Sequence, residues 1–147
     1  ADYNYNRHAA QLVWYVTLQN RTGGFSNPDY GKYVWFGLNL YDDRYDNKVK
    51  PLFRQEDAGT SAMMYNLSST EYLKDNNGIS PTVGKRVTAH IDIIPYVKEA
   101  MNYAKQQGFL GNTKYEDLYI GGTNFGYEIP GKHDISSTIY SINVFVK

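Results

Sequence analysis

The chain has 147 residues, which suits one domain with a real core, and it contains no cysteine, which excludes a disulfide scaffold, a thiolate metal site and a cysteine nucleophile. Its 15 basic and 15 acidic residues cancel and form no like-charge run, which argues against nucleic acid or an anionic membrane as the main partner. No apolar run is long enough to span a bilayer, and the opening "ADYNYN" reads as the start of a mature or excised domain.

Taken in chain order, the dominant hydrophobic period is two, the period of a half-buried strand. "QLVWYVTLQ" sets Leu12, Trp14, Val16 and Leu18 on one side and Val13, Tyr15, Thr17 and Gln19 on the other, and the first set reads as core. Asn20 to Lys32 is a loop rich in Gly, Asn and Pro. "YVWFGLNLYDD" alternates again, with Val34, Phe36, Leu38 and Leu40 as the core set. "DDRYDN" then crowds three carboxylates, Asp42, Asp43 and Asp46, into a loop whose hard oxygen ligands would suit a structural Ca²⁺, although no cofactor is otherwise expected. "SAMMYNL" is a further strand, and "SSTEYLKDNNG" a short helical turn in which Ser68 and Glu71 have capping-box spacing.

"RVTAHIDII" alternates Val87, Ala89, Ile91 and Ile93 against Arg86, Thr88, His90 and Asp92. One helix is expected over about 94–108: Pro95 sits where a missing N–H costs little, Val97, Ala100, Met101 and Ala104 recur at helical spacing, and Gly108 is a good stop. "LYIGGTNFGYEI" is a strand whose Gly-Gly marks a bulge or bend. "STIYSINVFV" closes the chain as a strand with Tyr140, Ile142, Val144 and Val146 on one side. This element list predicts an all-β domain, an antiparallel two-sheet jelly-roll β-sandwich with one inserted helix, and a β-barrel is the structural competitor.

If Val34, Phe36, Leu38 and Leu40 face the core, the opposite face of that strand carries Tyr33, Trp35, Asn39 and Tyr41. Exposing so much flat aromatic surface is costly unless something covers it. A pyranose ring is a natural cover, because its apolar face stacks on Trp or Tyr while its hydroxyls seek amides and carboxylates at the edge. Tyr15 and Gln19 would extend this surface, as would His90, Asp92, Asn124 and Glu128 if their strands share the face. The competing reading makes Trp35 part of a second core, covered by the helix or by the Asn20–Lys32 loop.

The strands "YVWFGLNLYDD", "LYIGGTNFGYEIPG" and "STIYSINVFVK" together resemble the β-sandwich carbohydrate-binding modules of bacterial plant-cell-wall-degrading enzymes. The likeness is one of pattern over most of the chain, and it extends to jelly-roll glycosidases and lyases. It implies a secreted or cell-surface bacterial domain, monomeric and joined to a catalytic domain in a longer chain, that grips a β-linked polysaccharide without cleaving it. Zero net charge favours a neutral glucan, xyloglucan, xylan or mannan over a uronate. The inserted helix departs from the pattern. The rival is an enzyme: a glycosidase needs two carboxylates about 5–9 Å apart, for which Glu128 and Asp92 are the strand candidates, and a lyase would draw on Arg86, His90 and Tyr15. An adhesion or capsid-like domain is the third class.

Overall fold

The computed structural model describes residues 9–131 and 133–145. Its centre is one mixed five-stranded sheet formed by β1 (Gln11–Asn20), β2 (Tyr33–Asp42), β3 (Phe53–Asp57), β4 (Ala62–Asn66) and β5 (Leu118–Glu128) in the order β3-β4-β2-β1-β5. The one α-helix among the described residues, α1 (Ile94–Gln106), lies on one face. The β-rich character and the one helix are as expected. The strands, however, are not uniformly antiparallel: β4 runs parallel to β2 because the chain passes first to the edge as β3 and returns between β3 and β2.

The core forms where α1 meets the sheet. Leu18 of β1, Val34, Phe36 and Leu38 of β2, and Met63 and Tyr65 of β4 are buried against Val97, Ala100 and Ala104 of the helix, with Trp14 partly buried beside them. Small residues at 100 and 104 let the helix axis approach the sheet closely, and both are fully buried. Pro95 occupies the first turn, and Gly108 at φ +83° follows the last, a left-handed geometry that glycine adopts without strain. The Gly-Gly bulge is present too. The β1–β5 register slips between Thr17 and Leu18, leaving Gly121 as the extra residue between Gly122 and Ile120.

Two expected strands are absent from the described residues. Residues 86–93 and 137–145 alternate in sequence but join no ladder, and Val146 lies outside the described residues. Alternation says which side chains share a side; it does not supply the neighbouring backbone that a ladder requires. Of the first segment's apolar set, Val87, Ile91 and Ile93 pack against the core while Ala89 is exposed; of the second's, Tyr140, Ile142 and Val144 are exposed. Conversely, β3 went unread because "FRQED" is polar and weakly β-forming, as exposed edge strands are.

The acidic loop after β2 is tied down by the chain's own groups. The Asp42 carboxylate is fully buried and takes a fork of bonds from Arg44, Nε to Oδ1 at 2.8 Å and Nη2 to Oδ2 at 2.7 Å, with Lys50 Nζ 3.7 Å away. Asp43 Oδ1 accepts the Ala10 N–H. Asp42, the central carboxylate of the trio, is thus neutralised by two cations of the chain itself. Among the described residues no group of three or more acidic or histidine side chains could hold a metal ion. A chelator is therefore expected to leave the thermal unfolding midpoint unmoved, whereas a clear fall with EDTA, reversed by added calcium, would show that a native-state metal ligand had been overlooked.

Candidate functional site

The face of the sheet opposite α1 carries Val13, Tyr15, Trp35, Gly37, Asn39, Met64 and Asn66 by register. It is not a plain solvent face. Val13, Tyr15, Asn39 and Asn66 are each under 6% exposed, so its middle is a second buried layer. The Tyr15 ring lies across Gly37, its partner on β2, and its hydroxyl accepts a 2.8 Å bond from Asn66 Nδ2 on the next strand but one. Trp35 stands half-buried at the lip, its ring in edge contact with Tyr15 (centroids 5.8 Å apart) and with Tyr33 (5.2 Å).

Beside these rings lies a depression of about 290 Å³ lined by Tyr15, Trp35, Asp57, Thr60, Met64, Asn124 and Glu128. Its walls come from both edges of the sheet. In a flat sheet the four steps from β3 to β5 would span roughly 19 Å, so the sheet curls enough to bring Asp57 and Thr60 at one edge to the same hollow as Asn124 and Glu128 at the other. Asn124 pairs with Tyr15, and Glu128 follows four residues on along the same face of β5, with the side-chain-free Gly126 between them. Asp57 is positioned by the β3–β4 hairpin, where its carboxylate accepts the Gly59 N–H and the Thr60 hydroxyl.

Enclosure shapes the electrostatics. Burial pushes the Tyr15 phenol up to about 12, and the carboxylates of Glu128 and Asp57 push the same way, so it is neutral at physiological pH. The Glu128 carboxyl also sits above its ordinary value, first because its end is enclosed, although the residue as a whole is exposed, and second because Asp57 is close.

Of the residues proposed from sequence, Tyr15, Trp35, Asn124 and Glu128 converge on this hollow, with Tyr33 against Trp35. The others do not. Asn39 is buried, donating to Gln11 Oε1 at 2.6 Å, and lies outside the lining. Gln19 is spent on its own loop, donating to the Gly31 carbonyl and accepting from Arg21. Tyr41 lies past the β1–β2 register shift and outside the lining. His90 and Asp92 sit in the irregular segment before α1, where Asp92 accepts the Ile94 N–H, so the Asp92–Glu128 pair is not formed in the hollow. Arg86 stacks on Tyr140. Asp57, Thr60 and Met64 were not foreseen. Met64 could have been found by its parity in "SAMMYNL"; nothing local marks Asp57, whose place depends on the curl.

No protein-family model matches this chain, and comparison with curated proteins and with solved structures finds no match.

Proposed function

We propose that the domain binds a β-linked polysaccharide without cleaving it, seating one sugar ring in the hollow against Trp35. The observation that carries this reading is the convergence of two aromatic rings, an amide and two carboxylates on one concave patch. A ring's apolar face can lie on Trp35, and its hydroxyls can meet Asn124, Glu128 and Asp57. The volume is at the small end for ligand sites and suits a single ring, with the rest of a chain running over the lip. A hollow with two carboxylates disfavours a uronate. Attachment to a catalytic domain, an extracellular location and a two-sheet sandwich belong to the same reading, and the strand-like pattern of the last segment, with Ile139, Ile142 and Val144 exposed, suits a second sheet.

The rival reading is hydrolysis. It is favoured by Asp57 and Glu128 sharing one hollow, with the Glu128 carboxyl raised as a general acid's would be. Prolonged incubation with β-glucan, xyloglucan, xylan or mannan is expected to release no reducing sugar. Sugar released by the wild type and lost in both Glu128→Gln and Asp57→Asn would replace binding with catalysis. Affinity electrophoresis against the same polysaccharides tests the binding itself, and failure to be retarded by any glycan would remove the proposal.

A further inference from the structure

Whole-chain neutrality hides a local imbalance. Of the seven described residues that line the hollow, Asp57 and Glu128 are acidic and none is Lys or Arg. The ion pairs among the described residues involve Asp29 and Asp42 and leave both of these carboxylates out. The Thr60 hydroxyl is already given to Asp57. The charged groups of the described lining are thus all acceptors, which favours a ligand that brings a positively charged donor.

We propose that the sugar seated here carries a protonated amine, so that the preferred ligand is a glucosamine-type polymer, with its ammonium between Glu128 and Asp57 and its ring on Trp35. This rests on the reading of the hollow as a sugar site and sharpens the ligand class. An ammonium presents three donors and no acceptor, where a hydroxyl presents one donor. It relieves two like charges held in one small space. The neighbouring Trp35 and Tyr15 rings favour a cation a second time, through their negative faces. A uronate would meet the opposite on every count.

The test is calorimetric titration with three oligosaccharides of equal length: β-linked glucosamine, its N-acetylated form, and β-linked glucose. The glucosamine oligomer is expected to bind about tenfold tighter than either of the others. That margin should shrink with added salt and vanish in Glu128→Gln and in Asp57→Asn, whose folding is checked by circular dichroism. Acid supplies a separate signature. Among the described residues, the titratable groups facing Glu128 are Asp57 from β3 and Tyr15 from β1. As pH falls into the range where Glu128 takes up its proton, binding should weaken, although the amine only gains charge. Equal binding of the amine and its N-acetyl form, or a preference for glucose, overturns the amine while leaving a Trp35-dependent sugar site standing. So does a preference for glucosamine that survives both carboxylate substitutions. No heat with any of the three removes the sugar site itself.

Discussion

Replacing Trp35 by alanine is expected to weaken retention on the cognate polysaccharide by ~1–3 kcal/mol, roughly five- to hundredfold in Kd, the scale of uncovering an aromatic ring. The ring stands at the lip of the hollow, and without it the sugar loses its main stacking surface and relies more on polar contacts that water offers equally well. Folding should suffer much less. Trp35 is only half-buried, and it gives the fold two edge contacts, to Tyr15 and Tyr33, worth ~0.5–1.5 kcal/mol each. Trp35→Phe should recover part of the binding. Gel retardation and thermal unfolding, measured on the same preparations, separate the two effects. An alanine variant that unfolds near room temperature would make Trp35 a core residue and move the site elsewhere.

Gly37→Ala should damage the fold, against the usual expectation that alanine suits a strand better than glycine. A Cβ at this position would lie 2.4 Å from Tyr15 Cε1 and 2.7 Å from Asn66 Oδ1. Neither neighbour can simply swing away: Tyr15 is 5% exposed, and its hydroxyl is held by Asn66. Overpacking of this kind costs ~1–3 kcal/mol. Binding should fall as well, because the displaced Tyr15 ring is one wall of the hollow. Chemical denaturation of Gly37→Ala, Tyr15→Ala and the double variant forms a cycle. If the clash is the cause, the alanine at 37 costs far less once the tyrosine ring is gone. The same penalty in both backgrounds would show that the strand needs glycine for some other reason.

Tyr33 to Tyr41 shows how far sequence reading reaches. Its alternation correctly divided Val34, Phe36 and Leu38 from Trp35, because each side chain's face follows from parity alone. Parity could not tell that Asn39 would be buried and Trp35 left at the lip, since that depends on what lies across the sheet. The same limit applies to residues 86–93. Val87, Ile91 and Ile93 of their apolar set do reach the core, yet without a ladder partner the polar set, His90 and Asp92, never joins the face that carries Tyr15. Asn124 and Glu128 were legible as soon as β5 was assigned. Asp57 was not, because it reaches the hollow only through the curl of the whole sheet, a property of twist summed over five strands.

That curl has a consequence for dynamics. The hollow closes between a strand at one edge of the sheet and a hairpin at the other, and the hairpin's outer strand is almost wholly exposed, with Asp57 its one partly buried residue. Such an edge opens locally at far lower cost than the centre of the sheet. A ligand that bridges Glu128 and Asp57 acts as a clasp across this seam, so occupancy should be written in the amide hydrogens of residues 53–66, whose exchange with deuterated water slows while that of α1 stays as it was.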